Sequence, residues 1–122
     1  MNGPVIFDTD LKNFDQDVIQ ASGQYPVLVD FWAEWCAPCI AIAPALEKTI
    51  PQYGGQIRLA RLEVDEGENM KLAGKHKVRG FPTIMLFQNG KETARFSGAR
   101  PAPAIHHFIQ EHTQLQPGET PG

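Results

Sequence analysis

The sequence predicts an α/β fold: a central mixed β-sheet covered by helices on both faces. Three observations lead there. Segments with strand and helix patterns alternate from the N-terminus, which builds parallel pairs through crossovers. Val27 to Ala33 is a near-continuous apolar run, the pattern of a strand covered on both faces. Asn89-Gly90 then joins the last two strands, and these residues accept the positive φ angles of a tight hairpin.

In chain order, Val5 to Phe7 reads as a short first strand. Leu11, Phe14, Val18 and Ile19 then recur at helical spacing after an acidic start at Asp8 and Asp10, and Gly23 ends that helix. Val27–Ala33 is placed at the centre of the sheet. From Ala37 to Ile50 the pattern is helical, with Pro38 in the first turn, where the missing N–H costs nothing, and Pro44 farther in, where it should kink the helix. Gln56 to Asp65 alternates through Ile57, Leu59, Leu62 and Val64 as a strand, and Asn69 to Lys75 forms a short helix. The chain turns at Gly80-Phe81-Pro82. Thr83–Gln88 and Thr93–Ser97 form the antiparallel hairpin, and Pro101–Gln114 forms a last helix burying Ile105, Phe108 and Ile109. Residues 1–114 are expected to make one domain. Residues 115–122, with two prolines and two glycines, are expected to be a flexible tail.

A chain of 122 residues can bury its own core without metal or disulfide staples. Its 42% hydrophobic and 20% charged residues match ordinary globular domains. Eleven Lys and Arg against fourteen Asp and Glu give a formal charge of −3, with no basic run to follow a phosphate backbone, so nucleic acid is not an expected partner. No apolar run approaches the roughly 18 residues of a membrane span, and the start lacks a basic segment followed by an apolar one. The expected compartment is the cytoplasm.

The two cysteines stand in Cys36-Ala37-Pro38-Cys39. A bridge between them closes so small a loop that it constrains the unfolded chain little, which leaves redox chemistry or metal binding. A zinc knuckle would need a second half. His76, His106, His107 and His112 do not supply its spacing and read as solvated surface, so redox chemistry is favoured. Helical residues i and i+3 have Cα atoms about 5 Å apart, inside the roughly 4.4–6.8 Å that a disulfide accepts, so the pair can open and close with little backbone movement. Cys36, at the helix start, has its thiolate favoured by unpaired N–H groups and the helix dipole, making it the expected nucleophile; Cys39 sits one turn deeper. Asp30 interrupts the apolar central strand. Desolvation there should raise its pKa and let it move protons near neutrality, in preference to simple pairing with Arg61.

Val29-Asp30-Phe31-Trp32-Ala33-Glu34-Trp35-Cys36-Ala37-Pro38-Cys39 closely resembles the active-site segment of the thioredoxin family. Gly80-Phe81-Pro82-Thr83 is similar to that family's cis-proline loop, and Asn89-Gly90 and Gly98 fall where its members carry their hairpin and late glycine. The resemblance covers Phe7 to Gln114. It implies the thioredoxin fold and electron transfer from reduced Cys36/Cys39 to protein disulfides: Cys36 attacks, Cys39 resolves the mixed disulfide, and Asp30 serves proton transfer. It also implies no bound cofactor, a monomer, and a flavoprotein thioredoxin reductase that spends NADPH to restore the dithiol. A cis Phe81–Pro82 bond would bring the loop beside the cysteines. Trp35, Ala37, Pro38, Gly80, Phe81, Thr83, Gly98 and Ala99 are then the expected substrate-binding surface, while Trp32 is left to the core.

Three residues depart from the commonest family pattern. Ala37 stands where Gly is usual, Ile40 replaces a residue that is often basic, and Arg61, always charged, stands where Lys is common and would hold Asp30 more ionised. An oxidant or isomerase on the same fold, or a binding subunit without turnover, are the competing readings. The first would want an export signal and a more oxidising disulfide.

Overall fold

The computed structural model describes residues 3–118. Five strands form one sheet in the order β1-β3-β2-β4-β5. They are β1 (Ile6–Asp8), β2 (Val27–Trp32), β3 (Arg58–Glu63), β4 (Thr83–Gln88) and β5 (Lys91–Ser97). β3 runs parallel to both β1 and β2, whereas β4 is antiparallel to β2 and to β5. The helices are α1 (Ala37–Thr49), α2 (Met70–Lys75) and α3 (Ala102–His112). The expected mixed sheet is therefore present.

Because side chains alternate across a strand, β2 serves two cores. Val27, Val29 and Phe31 pack with Phe14, Val18, Leu72, Met85 and Phe87. Leu28 faces the other layer with Ile42, Leu46, Leu59, Ile84 and Ile105. Residues Val27 to Phe31 are all buried, as a doubly covered strand requires. At the other extreme β5 is the sheet edge and mostly exposed, with Lys91, Glu92 and Arg95 discouraging further strand pairing.

The first helix differs from its expectation. Asp8 belongs to β1, and Asp10 Oδ1 instead caps a turn by accepting the Asn13 backbone N–H at 2.8 Å. Helical structure starts only near Phe14, as a wide π-turn over Asp15–Gln20 followed by a 3₁₀ turn over Ala21–Gly23. Leu11 is consequently exposed, its N–H held by Asn69 Oδ1 at 2.8 Å. The hairpin turns at Asn89 and Gly90 with φ of 53° and 81°, the positive angles that its residue types anticipate. β5 begins at Lys91, directly after that turn, and so is longer than its pattern suggested.

Two histidine readings are corrected. His76 is half-buried, its ring centroid 5.5 Å from Phe14 and 5.7 Å from Phe87, because Arg95 of β5 donates to the His76 and Lys77 carbonyls and seats that turn on the core. Desolvation pushes the His76 pKa down. His106 is also partly covered, with Nδ1 2.8 Å from the hydroxyl of buried Tyr53. His107 and His112 are exposed. At the start of the expected tail, Leu115 packs against the α3 side of the core and the Gly118 N–H donates to the Gln52 carbonyl at 2.7 Å. Residues 119–122 of that segment lie outside the described residues.

Candidate active site

β2 carries the chain out of the core, and Ala33-Glu34-Trp35 turns it into α1, whose N-cap is Cys36. Cys36 has an extended backbone, while Cys39 lies one turn inside the helix. The two are joined as a disulfide with Cα atoms 5.3 Å apart, so this is the oxidised form of the pair. The Cys39 N–H donates to Cys36 Sγ at 3.2 Å, and the Cys36 carbonyl accepts from Ile40 at 3.2 Å. Cys36 is 5% exposed and Cys39 0%. Only the first sulfur's residue thus meets solvent, and an N–H already points at that sulfur.

Asp30 is wholly buried on β2, in register with Arg61 of β3 on one side and Ile84 of β4 on the other. Its Oδ2 lies 3.4 Å from Arg61 Nε, whereas Oδ1 has no hydrogen-bond partner. Burial raises the pKa to about 6, with Arg61 pulling against that rise. Arg61 also stacks on Trp32, 4.4 Å from its guanidinium carbon to the ring centroid. Trp32 is therefore only partly a core residue: its ring is the platform that holds Arg61 over Asp30.

The loop before β4 meets Trp35. The Phe81–Pro82 bond is cis, and the Phe81 ring stands edge-on to Trp35 at 5.9 Å. Thr83 Oγ1 donates to the Gly80 carbonyl at 2.6 Å, and the Pro82 carbonyl accepts from the Gly98 N–H at 2.9 Å. Trp35, Phe81, Pro82 and Gly98 are thus joined by a chain of contacts. Ala37, Pro38 and Ala99 are exposed, and Trp35 is 66% exposed.

One contact escaped the sequence reading. Trp35 Nε1 donates to Asp65 Oδ2 at 2.6 Å, fixing an exposed indole that would otherwise be free to rotate. Its cause is the parallel register, which sets Trp32 beside Glu63 so that Asp65 emerges next to the residues that follow β2. Among the described residues, no group of three or more His, Cys, Asp or Glu side chains is placed to hold a metal ion.

A disulfide between an N-cap cysteine and one a turn inside the helix, above an α/β sheet with a buried acid, marks the class of thiol–disulfide oxidoreductases. The thioredoxin family profile matches residues 5–111. The chain is 47% identical to a thioredoxin of Pseudomonas aeruginosa over 80% of this chain and 86% of that protein. It is 38% identical to thioredoxin C-2 of Corynebacterium nephridii over 92% and 99%, and 41% identical to a thioredoxin of Acidithiobacillus ferridurans over 89% and 96%. The chain belongs to the thioredoxin family, and its chemistry is the reduction of protein disulfides by dithiol–disulfide exchange through Cys36 and Cys39.

Proposed function

We propose that Cys36 is the attacking thiol, Cys39 the resolving thiol and Asp30 the proton acceptor for Cys39. The carrying observation is the asymmetry of the pair: Cys36 is the N-cap with an N–H on its sulfur, while Cys39 is enclosed. In the reduced protein the Cys36 thiolate attacks one sulfur of a substrate disulfide. A Cys36–substrate bond forms, the substrate S–S bond breaks, and the departing thiolate takes a proton from solvent. Cys39 then loses its proton to Asp30 and attacks Cys36 Sγ. The Cys36–Cys39 bond forms as the mixed disulfide breaks, the second substrate thiolate is protonated, and two electrons have moved to the substrate.

Trp35, Ala37, Pro38, Gly80, Phe81, Gly98 and Ala99 form the surface on which an extended substrate segment rests, with Pro82 shaping its loop and Arg61 tuning Asp30; Thr83, expected on that surface, is 0% exposed and instead braces the loop through its hydroxyl bond to the Gly80 carbonyl. The exposed Trp35 and its contact with Phe81 support this reading. We further assign the chain the role of a monomeric cytoplasmic electron carrier in cell redox homeostasis. A thioredoxin reductase would restore the dithiol at the expense of NADPH; thioredoxins themselves carry no prosthetic group. The test is coupled reduction of a protein disulfide with a reductase and NADPH. The reading fails if wild-type turnover does not exceed that of Cys36→Ser.

A further inference from the structure

Beside the exposed Trp35, the end of β3 and the segment after it are mostly acidic. Glu34 precedes Trp35; Glu63, Asp65 and Glu66 follow one another out of β3; and Asp8 ends neighbouring β1. Asp65 is fastened to the exposed Trp35 ring, so this arc is continuous with the apolar contact surface. Among the described residues no cation stands within ion-pair distance of Glu34, Glu63, Asp65 or Glu66: Arg61 turns to Asp30 and Lys71 to Glu68. The Glu63 pKa is raised by desolvation and by Glu34, Glu66, Asp65 and Asp8, the signature of carboxylates that repel one another. Arg79 and Arg100 lie on the loops beside Gly80 and Ala99, and Arg100 covers the Phe96 ring at 4.1 Å.

The arc continues into a groove of about 480 Å³ whose lining includes three carboxylates, Asp10, Glu66 and Glu68, the apolar Leu11 and one cation, Lys12. Its apolar Leu11 and carboxylate rim suit the aliphatic stem and cationic head of a Lys or Arg side chain. On the other side of Trp35, Ile40 is 54% exposed and offers no charge. Carboxylates therefore outnumber cations on the β3 flank, while the cations Arg79 and Arg100 belong to the loops beside Gly80 and Ala99.

We infer that this chain selects protein disulfides whose flanking residues are Lys or Arg, the basic side chains lying along Glu63, Asp65 and Glu66 and reaching the Asp10–Glu68 groove. This rests on the proposed substrate surface at Trp35 and Phe81, and adds to it the charge class of the substrate. Complementary charges around a contact act chiefly on encounter, so the selection belongs in the bimolecular step.

The experiment uses the full chain, reduced beforehand, in single turnovers against three disulfide peptides that differ only in flanking Lys, Gln or Glu. Exposed charge pairs are individually weak, so the expected second-order rate constant for the Lys peptide exceeds that for the Glu peptide by about fivefold at low salt. At about 1 M NaCl, where the screening length is about 3 Å, the two should converge. Glu63→Gln/Glu66→Gln should bring the Lys-to-Gln ratio close to one at low salt, and Glu66→Gln, at an exposed position, should lower it partway. Equal rates for all three peptides, or a Lys preference unchanged in both variants, would overturn the inference while leaving the redox reading intact. No reduction of any peptide would remove the redox reading and this inference with it.

Discussion

Asp30 Oδ2 lies 3.4 Å from Arg61 Nε across a parallel register pair, while Oδ1 of the same carboxylate has no partner. The acid is thus half-satisfied inside the sheet. One oxygen is steadied by a charge that reaches solvent through an 18% exposed side chain, and the other is left as a buried acceptor. That arrangement costs stability when the group is ionised and supplies a base of useful strength, so the same residue yields opposed effects on folding and on chemistry.

Asp30→Asn should stabilise the fold by about 3 kcal/mol at pH 8, from a pKa raised from 3.8 to about 6. The folded carboxyl holds its proton up to about pH 6, whereas the unfolded one releases it near 3.8. Stability owed to protonated Asp30 is therefore fully present below about pH 3.8 and lost as pH rises through about 6. Denaturant titrations of both proteins should diverge above that window and converge below it. A constant difference at all pH values would show that ionisation of Asp30 is not its cause.

Arg61→Met should move the Asp30 titration upward, since Arg61 is what opposes desolvation there. Carboxyl carbon shifts in NMR would report it directly. The acid limb of the turnover profile should move with it, and stability should fall more at pH 8 than at pH 4, because an ionised carboxylate is then buried with no counter-charge. An unmoved Asp30 titration would mean that the 3.4 Å pair is electrostatically idle.

Cys39→Ser should accumulate adducts with disulfide proteins through Cys36, because the attacking sulfur remains while the resolving one is gone. Non-reducing gels of lysate passed over the immobilised variant would show them, and dithiothreitol should release them. Equal capture by Cys36→Ser would reverse the assignment of roles.

Much of this was legible in the residues. The Val27–Phe31 run marked the central strand because a doubly covered strand has no polar face to hide, and Asn89-Gly90 marked the hairpin because few residues accept those angles. Asp30 was conspicuous as the one charge in that run. The first helix starts later than its spacing suggests because Asp10 accepts the Asn13 N–H and Asn69 the Leu11 N–H, leaving Leu11 outside. The burial of His76 has no local signal, because its seat on Phe14 and Phe87 is made by Arg95, a residue distant in sequence. The Trp35–Asp65 bond was missed for the same reason: it depends on the register of two parallel strands, which no local pattern states.

That bond leads to the last prediction. Trp35 is 66% exposed, an expensive placement for an indole unless its apolar face is meant to be covered by a partner. Two contacts hold it in place, the 2.6 Å bond to Asp65 and the edge-on Phe81 ring, so little of its side-chain entropy remains to be lost when a substrate docks. Trp35→Ala removes both the face and its anchoring and should lower kcat/KM for a protein disulfide by about tenfold, or ~1.4 kcal/mol. Asp65→Asn keeps the ring and leaves an amide oxygen that can still accept from Nε1, so its loss should be smaller, whereas Asp65→Leu should leave the indole unanchored and fall between Asp65→Asn and Trp35→Ala. Reduction of a small symmetric disulfide, which cannot reach across the surface, should change little in all three. If that small-molecule rate falls as steeply as the protein rate, Trp35 acts on the cysteines themselves and is not a platform for substrate.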